Sequence, residues 1–314
     1  MLAALVGDLL KLGGVTVATT WDRRLSPSEF GLEWHAAHPK TRLERHEVSG
    51  PTEEAELFAT LSQECDATLI IAPELEGELL RRRSLVPPAR SLNSTPLAID
   101  QCGDKWVTYQ HLMAETIPTI PTELITEGPS IGPDLVIKQR FGAGSQEIWR
   151  VSSVAAWRDQ IPSERQSRFV VQPYIAGTHH SIGVLIDRSG RVHILPVADQ
   201  RIAVSQGFAY EGGKLPTATL TDCQQAEARK RAEQVVAAFP GLQGYFGIDL
   251  LCPQDCPDTM LVVEINPRLT TSYVGYRALC RTNLAAVWLG SDSTIDWHSG
   301  RIAFTPEGSW QWDR

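Results

Sequence analysis

The stretch GYFGIDLLCPQDCPDTMLVVEINPR (244–268) constrains this chain more than any other. Two apolar runs, 245–252 and 259–266, flank a Pro- and Asp-rich turn, which predicts a pair of strands. The first carries Asp249 and the second carries Glu264 and Asn266. Residues two apart in a strand share a face, so Glu264 and Asn266 point the same way. If Asp249 pairs opposite, three oxygen-bearing side chains converge. Acidic side chains amid GIDLL and VVEIN are costly to bury unless they hold something. Hard oxygen donors suit Mg²⁺, which takes a few carboxylates and completes its shell with phosphate oxygens. The alternative places Asp249 at a strand end and Glu264 on a solvated face. The apolar neighbours argue against it.

The chain has 314 residues, room for two or three packed modules, with 42% hydrophobic and 21% charged residues, enough for an ordinary core. Its formal net charge is −8 and no Lys/Arg run stands out, so a nucleic-acid partner is not expected. No apolar run is long enough to span a bilayer. The apolar segment Met1–Leu12 is broken by Asp8 and lacks a small-residue cleavage site, so it reads as a helix and not a signal peptide. The six cysteines show no metal spacing; they are expected to be reduced and structural, in a cytoplasmic protein.

The N-terminal third alternates helix and strand. Leu2, Leu5, Val6, Leu9 and Leu10 recur at helical spacing, and Gly13-Gly14 ends that helix. Strands are predicted over 15–20 and 67–73, with a helix over roughly 53–64 between them, which implies a parallel sheet. Such a domain usually opens on a strand. Either this one lacks its first strand or the given start lies inside the true reading frame; a helix-first domain is the alternative, and the sequence weights it equally. Pro87-Pro88 and SLNSTP (91–96) mark a linker. A helix follows over roughly 104–115. Strands are then predicted over 122–126, 135–140, 145–151, 168–175, 180–187, 191–204, 245–252 and 259–266. Short turns such as DRSG (187–190) separate several of them, an antiparallel texture. One long helix, roughly 222–239, interrupts them. The expected class is α/β followed by α+β, divided as 1–95, 96–175 and 176–314.

Three further segments carry chemistry. In VIKQRFGAGS (136–145), Lys138 precedes a turn in which Gly142 and Gly144 let backbone N–H groups approach an anion. In DKWVTYQHLM (104–113), Asp104 is placed to cap the helix. Lys105 in the first helical turn opposes the helix dipole, which hints at an anionic partner. In VVQPYIAGTHHSIGV (170–184), an apolar strand reaches a Pro-Tyr-Ile bend that can offer backbone groups to an adenine edge. His179 and His180 are adjacent and point to opposite faces, so they are not a shared metal site.

In this order the segments resemble the ATP-grasp superfamily over roughly 95–285, with the first third resembling the domain that precedes it there. VVEINPR is the most specific piece and the glycine turn the least. The resemblance implies an ATP-grasp fold that binds ATP with Mg²⁺, or Mn²⁺ in its place. Lys105 and Lys138 would contact the ATP phosphates. Gly142, Gly144 and Ser145 would lie in a flap over them. Gln172, Tyr174 and Ile175 would line the adenine pocket. Asp249, Glu264 and Asn266 would hold two magnesium ions, and Arg268 would stabilise the acyl phosphate and the transition state. The implied activity joins a small-molecule carboxylate to an amine, and a homodimer is compatible with it. Two departures stand out. Many members have Glu where Gln172 stands, and another near His179 for the ribose. Within the superfamily the opening 1–25, IIAPE (70–74) and DQRIAVSQGFAYEGGKLP (199–216) look most like the tyramine–glutamate ligase family. That family joins glutamate to tyramine, and its AYEGG stretch lies near the acceptor site. A dipeptide ligase of the D-alanine–D-alanine type, or a nucleotide-binding module without turnover, are the competing expectations.

Overall fold

In the computed structural model, which describes residues 1–25, 39–125, 132–142, 144, 147–158, 161–204, 207–291 and 294–313, the chain forms three sheets. Near the N-terminus, α1 (Leu2–Leu9) leads into β1 (Thr16–Asp22), which pairs in parallel with β2 (Arg42–Val48). Helices α2 (Pro51–Glu64), α3 (Glu78–Leu85) and α4 (Pro96–Gly103) follow. Proline opens α2 and α4, where a missing N–H costs nothing.

The predicted strand at 67–73 is not a regular ladder. Thr68 makes one parallel bridge to Ser91. Next to it, Asn93 turns its side-chain amide onto Ile70, its Oδ1 accepting from the backbone N–H at 2.7 Å and its Nδ2 donating to the carbonyl at 2.9 Å. A side chain thus stands where a backbone partner was expected. The linker reading of 91–96 also needs correction at its end, because Thr95 caps α4 and Pro96 starts it. Strand β2 was not predicted: RLERHEV is mostly polar and carries no alternating apolar signal.

After α5 (Lys105–Ala114), a four-stranded sheet forms from β3 (Glu123–Leu124), β4 (Leu135–Gln139), β5 (Ile148–Val151) and, beyond α6 (Val154–Arg158) and α7 (Ser163–Gln166), β6 (Phe169–Pro173). Its order is β3-β6-β4-β5, antiparallel throughout. Ile125, Leu135, Ile137, Trp157, Phe169 and Val171 fill its core.

The large sheet holds β7 (Gly177–Ile186), β8 (Val192–Ile194), β9 (Ala198–Val204), β10 (Phe208–Leu215), β11 (Gly244–Pro253), β12 (Leu261–Asn266), β13 (Arg301–Phe304) and β14 (Trp310–Asp313). Its order is β12-β11-β7-β9-β10-β13-β14, with β8 paired to β7. The expected single strand over 191–204 is two, because Pro196 has no N–H for the ladder. Helix α8 (Asp222–Ala238) covers one face of this sheet. Its Ala228, Ala232 and Val235 pack with Phe246, Ile248, Leu250 and Ile182. The α8 capping box, Thr221 with Gln224, fixes where the helix starts. Since Phe246, Ile248 and Leu250 face α8, the period of two turns Tyr245, Gly247 and Asp249 to the other side. There, α9 (Ser272–Leu279), α10 (Leu284–Trp288) and α1 complete a second core around Tyr245, Tyr273 and Tyr276.

The N-terminal segment is fastened to this body by polar groups as well as apolar ones. Asp8 is buried and accepts from Arg277 at 2.7 and 2.8 Å and from the Tyr273 hydroxyl at 2.9 Å. Asn283 donates to the Asp8 carbonyl at 2.7 Å. At the other seam Gly244 has φ +67°, and a Cβ there would collide with the Leu92 carbonyl. Only glycine fits both demands. Among the described residues, no helix is long and apolar enough to cross a membrane, and all six cysteines are free thiols.

Candidate active site

A cleft of about 610 Å³ lies between the four-stranded and the large sheet. Of the residues singled out from the sequence, Lys138, Gly144, Gln172, Tyr174, Ile175, Asp249, Glu264, Asn266 and Arg268 line it. Lys105 and Gly142 stand just behind this wall, and Ser145 lies outside the described residues.

The strand register delivers the expected convergence. Asp249 sits directly opposite Glu264, and Gly247 opposite Asn266. A bulge between Asp249 and Leu250 shifts the register, so that Val262 and Ile265 both face the α8 core while Val263, Glu264 and Asn266 line the cleft. Gln200 on β9 donates to Asp249 Oδ1 at 2.8 Å and Asn266 Nδ2 donates to Oδ2 at 3.0 Å. Burial, and next the like charge of Glu264, push the Asp249 carboxyl up to about 6. Gln200 and Asn266 oppose that rise. Two carboxylates and an amide, all offering oxygen, fit a hard divalent ion that takes its remaining ligands from phosphate or water. Among the described residues, no cluster of three His, Cys, Asp or Glu offers a different metal site.

Lys138 reaches the cleft from β4 and is only 4% exposed. Burial, with help from the nearby Lys105 charge, lowers its ammonium to about 8 against the pull of Glu264 and Asp249. Lys105 is tied to the base of the glycine turn: its Nζ donates to the Gly142 carbonyl at 2.9 Å and lies 3.5 Å from Glu264 Oε1. Asp104 caps α5 as expected, accepting from the N–H groups of Trp106 and Val107, and binds Arg140 through both oxygens at 2.8 and 2.6 Å. That pair anchors the turn to α5. Gly144 has φ +71°, a conformation side chains rarely adopt, which lets backbone approach the cleft.

On the same four-stranded sheet, where β6 pairs with the strand that carries Lys138, Gln172 donates to the Thr122 hydroxyl at 2.8 Å, and the Arg150 guanidinium stacks 3.5 Å over the Tyr174 ring. The two histidines separate as their spacing required. His179 lines the cleft, and burial holds its pKa below the ordinary value. His180 is fully buried, between Thr178 and Asp199. At the far end, a ring of hydroxyls joins Tyr245, Thr270 and Ser272, with Thr270 and Ser272 2.8 Å apart.

Residue-by-residue reading of the sequence missed two members of this arrangement. Gln200 lies inside the stretch 199–216, but nothing about a lone Gln in a strand marks it. Glu74 ends the stretch IIAPE. It is an acid terminating an apolar run, and that was the available signal. It is buried and accepts from Arg268 Nε through both oxygens, at 2.9 and 2.8 Å.

An ATP-grasp domain model matches residues 102–272, and a pre ATP-grasp 3 domain model matches 15–99. The chain is 25% identical over 219 residues to a tyramine–L-glutamate ligase of Methanocaldococcus fervens, covering 69% of this chain and 63% of that one. It is 26% identical over 235 residues to a phosphoribosylaminoimidazole carboxylase of Candida glabrata, covering 70% of this chain and 39% of that one. It thus spans less than two thirds of either relative. Its fold is similar to that of an N5-carboxyaminoimidazole ribonucleotide synthetase from Thermotoga maritima. The TM-score is 0.67 and the identity 18%, covering 96% of this chain and 77% of that one.

Proposed function

Because this chain belongs to the ATP-grasp family, we propose that it is an ATP-dependent ligase that joins a carboxylate to an amine through an acyl phosphate. The observation that carries the reading is the meeting of Asp249, Glu264, Asn266, Lys138 and Arg268 in one cleft. A metal-carboxylate set, a buried cation and an arginine are what phosphoryl transfer to a carboxylate requires.

ATP lies between the two sheets, with its base against Gln172, Tyr174 and Ile175 and its phosphates toward Lys138 and the glycine turn. Asp249, Glu264 and Asn266 would hold magnesium, which neutralises phosphate charge and lowers the barrier to transfer. Lys138 orients the phosphates, and bringing anionic oxygens beside it raises its pKa from about 8, so it is fully charged when it is needed. The substrate carboxylate attacks the γ-phosphate, giving an acyl phosphate and ADP. Arg268 stabilises the charge on the transferring group. The amine then attacks the acyl carbon, phosphate leaves, and an amide remains.

The tyramine–glutamate ligase relative favours an amino-acid carboxylate such as glutamate and an amine such as tyramine. The carboxylase relative favours a second version of the same chemistry, in which the acid is a one-carbon carboxyl source. The experiment is ADP release from ATP and Mg²⁺ across a panel of amino acids and bicarbonate, each with and without amines including tyramine. Release that needs glutamate and tyramine together supports the full proposal. Release with two amino acids, or with bicarbonate, keeps the ligase and changes its substrates. No release from a protein that still binds ATP points to a binding module.

A further inference from the structure

We propose that Glu74 is a positioning residue for Arg268, a role that rests on the ligase reading above. Glu74 comes from the N-terminal domain, 194 residues away in sequence, and is 6% exposed. Both its oxygens lie within 2.9 Å of Arg268 Nε. A guanidinium has five N–H donors in a rigid plane. Here the Nε–H is held by Glu74, one Nη1–H reaches the Leu269 carbonyl at 3.3 Å, and one Nη2–H reaches Asn266 Oδ1 at 3.4 Å. Two donors remain, on a side chain that lines the cleft. With Nε fixed, the plane of the fork is fixed, and so is the direction of those two donors.

The local backbone is shaped for this contact. After Pro73 a tight turn over Leu75–Gly77 carries Glu76 at φ 52° and Gly77 at φ 71°. A non-glycine residue in the left-handed region is uncommon and persists where its surroundings demand it. The reversal leaves Glu74 pointing toward the C-terminal sheet while α3 departs. The contact also crosses the seam between domains, so the arginine is in place only when the N-terminal domain is docked.

A merely structural Glu74 and a positioning one separate in a double-mutant cycle. The variants are Glu74→Gln, Glu74→Asp, Arg268→Gln and the double Glu74→Gln/Arg268→Gln, assayed by ADP release. Glutamine is isosteric, and one flank of Glu74 borders a second cavity of about 340 Å³, so the site has space to absorb the change. Glu74→Gln is expected to lower kcat roughly 10- to 100-fold, the scale of a small misplacement of a catalytic group, with KM for ATP changed less than about twofold. Glu74→Asp should recover part of the loss. The double variant should be no slower than Arg268→Gln alone. Losses that multiply in the double variant would overturn the proposal, as would a Glu74→Gln defect confined to KM. The Arg268 Nε–H resonance in ¹⁵N-labelled protein with bound ADP decides the matter independently of turnover. Its slow exchange should disappear in Glu74→Gln, and persistence would overturn the role. If the wild type releases no ADP with any acid–amine pair, the ligase reading fails, and this resonance still tests the contact.

Discussion

Asp249 and Lys138 are both held away from their ordinary charge by burial, in opposite directions. For Asp249 the folded state prefers the proton: its carboxyl sits at about 6 against an ordinary value of 3.8. The contribution to stability is therefore fully present below about pH 4 and is lost as pH rises through 6, amounting to about 3 kcal/mol. Asp249→Asn removes a charge that Glu264 opposes and that Gln200, Asn266 and Arg268 only partly compensate. The ligand-free variant should melt about 5 °C above the wild type at pH 8, with the advantage gone at pH 4. An unchanged melting temperature at pH 8 would show that the carboxylate is already neutralised. Glu264→Gln should lower ADP release by about 100-fold or more while leaving the melting curve near that of the wild type. Activity close to wild type would remove Glu264 from the metal set.

Among the elements, the strand pair β11–β12 was readable because apolar runs, a turn and acids at fixed parity all agree there. The bulge at Val263 was not, because an extra residue leaves no mark on composition. Strand β2 escaped notice because a polar edge strand has no alternation to read. The segment 67–73 has the composition of a buried strand, yet its ladder is replaced by Asn93. Such a substitution depends on which loop arrives beside the strand, and that is a tertiary fact. Glu74 falls in the same class: the residue was visible, but its partner lies in another domain. Seams of this kind tolerate little change. Gly244→Ala adds a Cβ against the Leu92 carbonyl at a positive φ and should cost about 3 kcal/mol, measurable by urea unfolding. A loss below about 0.5 kcal/mol would mean that the loop at Leu92 yields easily.

For the molecule as a whole, Asp8 is the corresponding test. Replacing it with Asn leaves Arg277 without its carboxylate and should destabilise the protein by about 3 kcal/mol. If Asp8 holds the N-terminal domain in place, the variant should also lose ADP release, since the Glu74–Arg268 contact depends on the same docking. A variant that is destabilised yet fully active at low temperature would separate the two.

The Asp8 cluster also sets a timetable for synthesis. Helix α1 leaves the ribosome well before its partners: Tyr273, Arg277 and Asn283 emerge more than 260 residues after Asp8. Until then, among the described residues, the N-terminal domain has a two-stranded sheet and small apolar clusters around Val6 and Ile70. A sheet that small is marginal alone in water. This earlier-made part is thus stabilised late, and its exposed apolar surface is where chaperones would be expected to bind during translation.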